Sequence, residues 1–355
     1  MLKNWLRSKM LLLISIAAAF LIVIHTPVTS DTILIPSGDE SIINPSARLE
    51  KLFDLGHFTE GPAVAFDGTV YFSDITFTHE SGMQAGHIWK YNPRTEETKI
   101  FRSPSGMSNG LKFDAQGRLI AAEGADFGGR RLTRTDLRTG RSEIIAGLHE
   151  DEPFNSPNDI TIDEKGRIYF SDPRYVGYEL INQPVMGVYR IDPDGSIHRI
   201  IADAGKPNGV AISPNQETLY VVCHNNGATK PESQLPEGTS VYKGRMALLA
   251  YDLSTDGAAT FRKVLVDYAP QDGPDGLVVD IEGNLYVAVR DVTRPGIYVY
   301  TSEGVERAYI PTPNLPTNVA FGRGEDSQML YITEGTSLHR IKVNKNGYHL
   351  PPALR

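Results

Sequence analysis

Glu60, Asn109, Asn158, Asn208, Asp275 and Asn318 each open a segment of the same design. An amide or carboxylate side chain is followed by an apolar strand, a turn and a second apolar strand. The segments read EGPAVAFDGTVYFSD, NGLKFDAQGRLIAAE, NDITIDEKGRIYFSD, NGVAISPNQETLYVVC, DGLVVDIEGNLYVAV and NVAFGRGEDSQMLYITE. From the opening residue to the first apolar residue of the second strand (Val70, Leu119, Ile168, Leu219, Leu285, Leu330) the steps are 10, 10, 10, 11, 10 and 12. If the segments close into a ring, six side-chain oxygens meet at one end of one axis. Hard divalent cations bind such oxygen sets. Glu60, Asn158, Asn208 and Asp275 fit best, because two carboxylates balance a divalent charge and two amide carbonyls add neutral oxygens. Water then completes the roughly six to eight ligands of Ca²⁺, and other divalent ions fit the same set. Asn109 and Asn318 fit less well. A single Asn before Gly commonly serves only a turn, but six in register with Glu and Asp among them point to a site. No HxH, HExxH or CxxC spacing is present, which argues against a zinc centre of soft ligands.

Other chemistry-bearing residues are weaker. Asp74, Glu123, Asp172 and Glu334 end second strands and are read as partners of loop backbone rather than of the ring. Hairpin parity puts Asp172 level with Asn158 and Asp74 level with Glu60. His57, His79, His87 and His224 can reach the ring face, and His224 stands out because it opens the longest loop. Ser108-Asn-Gly and Ser156-Pro-Asn lack the strained elbow of a serine hydrolase. No Gly-rich phosphate loop follows a strand.

The elements that must position these residues are short strands repeating about every 40–50 residues, the mark of a propeller blade. The fold class expected is all-β, a six-bladed β-propeller of four-stranded blades with a central metal site. The FDG, DAQG, DEKG and DIEG turns suit tight hairpins on the far face. Loops after second strands then emerge beside the oxygens: residues 75–87, 124–131, 173–187 and 224–245. Phe77, Tyr175 and Tyr178 are available to line that face. Only three strands follow Asn318, so the fourth strand of the last blade must come from elsewhere. Residues 48–55 are the candidate, and such pairing would close the ring and cover an edge.

The chain has 355 residues, enough to bury a core without disulfides, and a single cysteine, Cys223. Its net charge of −8 argues against nucleic acid or an anionic membrane as partner. Residues 1–30 carry Lys3, Arg7 and Lys9, an apolar run from Met10 to Ile24, and small residues before Asp31. They read as a signal peptide, so the protein is expected to be exported, periplasmic or secreted; the alternative is an uncleaved anchor. Residues 31–46 read as a linker, 47–345 as the propeller and 346–355 as a C-terminal tail.

At EGPAVAF, NSPNDITIDEKGRIYFSDPRY, KPNGVAIS and GPDGLVVD the sequence resembles the gluconolactonase/regucalcin-like (senescence marker protein) family, and within it the exported bacterial gluconolactonases. The resemblance implies a six-bladed propeller with one divalent cation, often Ca²⁺, in its channel, and hydrolysis of a small-molecule lactone. It implies Glu60, Asn208 and Asp275 as direct ligands, Asn158 as a contact of metal or substrate, and Asp275 as general base. Substrate contacts are expected at Asn158, Asn109, Tyr175 and His224. Ser156 stands where some members place an arginine. The cation would polarise a lactone carbonyl and Asp275 would take a proton from the attacking water. Two alternatives remain: a metal-dependent aryl or phosphoester hydrolase on the same scaffold, and a non-catalytic, metal-stabilised binding propeller. No protein partner is implied.

Overall fold

A computed structural model describes residues 34–227, 229 and 242–353. Residues 1–30, expected to be an export signal, lie outside them. Six antiparallel blades follow one another along the chain, with a small hairpin of Leu148–His149 and Glu152–Pro153 between the second and third. Blade I runs inside to outside through Thr59–Val64, Val70–Asp74, His87–Asn92 and Glu97–Arg102. Blade II uses Ser108–Phe113, Leu119–Glu123, Arg131–Thr135 and Ser142–Ala146, and blade III Ile160–Ile162, Ile168–Ser171, Val188–Ile191 and Ile197–Ile201. Blade IV comprises Pro207–Ile212, Thr218–His224, Met246–Leu253 and Ala259–Asp267. Blade V comprises Pro274–Val279, Leu285–Val289, Gly296–Tyr300 and Glu306–Pro311. Blade VI contributes Pro316–Phe321, Met329–Glu334 and Ser337–Lys342, and its outer strand is Glu50–Phe53 from the other end of the chain. Neighbouring inner strands pack on each other all round, so the six sheets form a closed ring. That closure covers the edge blade VI would otherwise expose.

The far-face turns share one chemistry. In blades II, III and V the carboxylates of Asp114, Asp163 and Asp280 each accept backbone N–H groups two and four residues ahead, at 2.9–3.0 Å. These are Asx turns that pin the hairpin register. Apolar second and third strands are buried on both faces between blades, as in Leu248, Ala250, Val287 and Val289.

Three expectations need correction. First, hairpin parity is offset by one residue: Glu60 pairs with Ser73, and Thr59 with Asp74. Asn158 donates its backbone N–H to the Ser171 carbonyl. A bulge between Glu60 and Ala63 absorbs the extra residue. Equivalent shifts occur in blades II, IV, V and VI. Asp74 and Asp172 nevertheless serve loop backbone rather than the ring oxygens, as their place at the strand ends implied. Asp74 accepts the His57 and Phe58 N–H groups at 2.7 and 2.9 Å. Asp172 takes those of Asn155 and Ser156 at 2.8 and 2.6 Å, and burial still lifts its carboxyl to about 7.

Second, residues 34–46 are not a free linker. Ser37–Gly38 extends the outer edge of blade V, and Ile42 and Ile43 are fully buried beside Val299, Ile310 and Val343. Two adjacent isoleucines outweigh the polar composition around them. Third, residues 346–353 are not a loose tail. The Tyr348 N–H donates to the Val279 carbonyl, His349 Nε2 to Gly322, and the Ala353 N–H to Ala115. The segment thus crosses the far mouth of the channel and joins blades II, V and VI.

Candidate functional site

The opposite mouth holds a cavity of about 460 Å³ that brings together five of the six oxygen residues: Glu60, Asn109, Asn158, Asn208 and Asp275. Each stands at the start of an inner strand, within its bulge in blades I, II, IV and V and just before the strand in blade III. Glycines after the opening residues let adjacent inner strands approach. A Cβ at Gly209 would lie 2.5 Å from the Asp275 carbonyl, and one at Gly276 would overlap the Asn318 amide. Asn318 is the residue left out: its Oδ1 accepts the Val319 N–H at 2.8 Å, and its side chain hydrogen-bonds Asp159.

Glu60 and Asp275 are buried, at 3 and 6% exposure. Burial pushes both carboxyls up, and their mutual repulsion raises Glu60 further; Asp275 rises to about 6. The Oδ1 atoms of Asn109 and Asn158 are buried without a hydrogen-bond partner among the described residues. Asn208 directs its Nδ2 to the Tyr175 hydroxyl at 3.2 Å and also bonds the Asp275 carboxylate. With Nδ2 so committed, Oδ1 is the amide atom this lining residue has left for a ligand. Two crowded carboxylates and unpartnered amide oxygens are a poor arrangement for a protein alone and a good one for a hard cation. The donor set therefore fits a divalent ion. No group of three or more His, Cys, Asp or Glu side chains forms a metal cluster among the described residues. The fit depends on amide oxygens.

Tyr175 comes from the loop after the second strand of blade III. Its hydroxyl donates to the His224 carbonyl at 3.1 Å, and the Lys206 ammonium sits 4.3 Å over its ring. Tyr175 is thus a clamp on Asn208 as well as a cavity wall. His224 lines the cavity; its Nδ1–H donates to the Pro274 carbonyl at 2.8 Å. The carbonyl can only accept, so Nε2 is the acceptor nitrogen, and burial lowers the imidazole to about 4. The other histidines are committed elsewhere. His79 Nδ1 is 2.9 Å from the Asp126 carboxylate, His87 Nδ1 bonds Ser103 Oγ, and His57 does not border the cavity. Phe77 lines the wall, whereas Tyr178 is half exposed against Phe127. Residues 228 and 230–241 of the long blade IV loop lie outside the described residues.

Two charged residues were not anticipated. Asp159, buried directly below Asn158, accepts the Val210 N–H at 3.0 Å. It occupies the place of Gly61, Gly110, Gly209 and Gly276, and that break in the repeat was visible. Arg290 lines the cavity with Nη1 3.5 Å from Asp275 Oδ2. It lies five residues after Leu285, as His224 lies five after Leu219, a register that places both at the ring face.

The SMP-30/Gluconolactonase/LRE-like region matches residues 58–336. A gluconolactonase of Zymomonas mobilis is 27% identical over 335 residues, covering 87% of this chain and 85% of its own. Lactonase drp35 of Staphylococcus epidermidis is 29% identical, over 80% of this chain and 75% of its own. The solved structure of a gluconolactonase from Xanthomonas campestris superposes with a TM-score of 0.70 at 28% identity, covering 87 and 95% of the two chains.

Proposed function

We propose that this chain, which belongs to the SMP-30/gluconolactonase family, is a hydrolase that opens a lactone to its hydroxy acid with the help of a divalent cation. The observation that carries the reading is the pairing of two buried carboxylates with unpartnered amide oxygens in the cavity of a gluconolactonase-like propeller. Glu60, Asn158, Asn208 and Asp275 would hold the cation, Ca²⁺ being the natural fit. When bound, it supplies the charge that polarises a carbonyl and steadies developing negative charge.

Asp275 is the proton acceptor in this reading. In the cation-free protein burial lifts this carboxyl to about 6, so it is ionised at neutral pH, and a bound cation would keep it so while lowering its basicity. It takes a proton from water, whose oxygen bonds to the lactone carbonyl carbon. The ring C–O bond then breaks and the alcohol oxygen recovers a proton. Asn109 and His224 Nε2 face the same space and would bind substrate polar groups. Phe58, Phe77 and Met107 keep bulk water from the reacting atoms. We place the enzyme outside the cytoplasm on the strength of residues 1–30. The test is turnover of a lactone panel by purified protein, abolished by chelator and restored by a divalent ion. Stability raised by a divalent ion, with no turnover of any lactone, would identify the metal-stabilised binding module instead.

A further inference from the structure

We infer that Arg290 is an anion-anchoring residue, and that the lactones this site takes best carry a carboxylate on the ring; the inference rests on the lactonase reading above. Arg290 leaves blade V at the end of its second strand and reaches the wall of the cavity. Its Nη1 donates to the Pro316 carbonyl at 3.3 Å and stands 3.5 Å from Asp275 Oδ2. The ring of Phe58 supports the guanidinium, with Cζ 5.5 Å from the ring centre. The side chain is 19% exposed. A guanidinium has five donors. Nη1 is the nitrogen in use; Nε and Nη2 make no hydrogen bond among the described residues. The group is therefore held in place through one nitrogen while the edge that suits a carboxylate is unspent.

Charge balance points the same way. Arg290 is the one Lys or Arg among the described lining residues. Its approach to Asp275 is longer than a hydrogen bond. Once Glu60 and Asp275 are neutralised by a divalent cation, the guanidinium has no counter-charge in the cavity interior. The rim acids do not supply one, since Asp272 pairs with Lys243 at 2.5 Å and Glu80 lies 3.4 Å from His79 Nε2. Space is available too. A second groove meets the cavity at Phe58, Arg290 and Leu315, so the guanidinium stands at the junction of two open volumes. A substituent on a lactone ring held at the oxygen residues would reach Arg290 without displacing a protein contact.

The test compares 5-oxotetrahydrofuran-2-carboxylate with its carboxamide, in wild type, Arg290→Gln and Arg290→Lys, at saturating Ca²⁺. Wild type should favour the carboxylate in kcat/KM by about 10–100-fold, the range of a charge-assisted hydrogen-bonded pair. Arg290→Gln should bring that ratio toward one, chiefly through KM. Arg290→Lys should keep part of it, because a point charge remains but the paired donors are lost. A merely structural Arg290 would lower both substrates in proportion and leave the ratio unchanged, which would overturn the inference. So would a wild type with no preference. Calorimetric binding of 3-oxocyclopentane-1-carboxylate and its carboxamide to the same proteins gives a readout that needs no turnover. If neither these lactones nor any other of the panel is hydrolysed, the lactonase reading fails. An Arg290-dependent preference for the carboxylate ketone would then still uphold the anchoring role, and equal binding would refute it.

Discussion

The two mouths of the channel are lined by the same six inner strands, a few residues apart, and they are chemically opposite. At one mouth Glu60, Asp275 and the amides of Asn109, Asn158 and Asn208 face a cavity of about 460 Å³. At the other, Ala63, Phe113, Ile162, Ile212, Val279 and Phe321 surround a residual space of about 60 Å³ beneath Tyr348, His349 and Leu350. Each mouth has a neutral histidine committed to a backbone carbonyl: buried His224 to Pro274 and half-buried His349 to Gly322. Burial lowers both imidazoles, to about 4 and about 3. The difference lies in what is left unsatisfied. The far mouth has no orphaned side-chain oxygen among the described residues, whereas the cavity keeps two amide oxygens without partners. Each such group costs about 1–3 kcal/mol if nothing binds it. A channel whose lining is satisfied at one mouth and unsatisfied at the other is arranged for a ligand at the second; the two other unpartnered oxygens, the Tyr91 and Tyr331 hydroxyls, lie off the channel.

The sharpest way to break this contrast is Asp275→Asn, which keeps the shape and one carbonyl oxygen but removes charge and basicity. Lactone turnover should fall by about 10²–10⁴-fold with the metal raised until activity no longer increases, and the melting temperature should hold. Recovery to the wild-type rate at high metal would leave Asp275 as a ligand only.

Tyr175→Phe probes the clamp on Asn208. Without the hydroxyl, the amide loses its Nδ2 partner at 3.2 Å and is held by the Asp275 carboxylate alone. Metal affinity or kcat/KM should drop by about 10–100-fold, typical of losing an outer partner of a metal ligand. Titration with Ca²⁺ by calorimetry, alongside rates, would check this; unchanged affinity and rate would show the clamp to be idle.

The pH dependence of metal binding comes next. Both carboxyls are raised by burial, Asp275 to about 6, so below that pH the cation must displace protons. Affinity should fall about tenfold per pH unit for each proton displaced as the pH drops below about 6, and level off above the folded-state values. The stability sign is consistent. An acid whose folded value is raised costs the cation-free protein stability as pH rises from about 4 to about 6. The melting-temperature gain from added Ca²⁺ should therefore grow across that window. A gain independent of pH would mean these carboxylates are not the ligands.

The smallest effect on rate is expected at the sealed mouth. Tyr348→Ala removes a side chain packed against the blade IV–V core and hydrogen-bonded to Glu164 and Gln216. Denaturant unfolding should show a loss of about 2–4 kcal/mol, with kcat/KM within about twofold of wild type. A large kinetic loss would mean that the two ends are coupled through the channel.

How much of this was legible beforehand varies with the range of the interactions. The four-strand repeat, the Asx-turn hairpins and the closing strand at Glu50–Phe53 follow from local periodicity and turn chemistry, which act over a few residues. The convergence of Glu60, Asn158, Asn208 and Asp275 was legible because repetition turns sequence register into spatial register. The bulge was not, since backbone pairing absorbs an extra residue without any marker in composition. That Asp74 and Asp172 serve the loops rather than the ring was legible all the same, from their place at the strand ends.

By itself the sequence determined which oxygens stand at the head of each blade, since strand alternation and a fixed repeat length leave them no other face. Tertiary structure alone decided what surrounds them. Tyr175 reaches Asn208 from the neighbouring blade, and Arg290 reaches Asp275 along a strand end. Residues 346–353 become a seal because the far mouth offers apolar side chains and open backbone groups to cover. Such contacts join residues tens to hundreds of positions apart. Their free energy depends on ring closure, and no local pattern of residues encodes it.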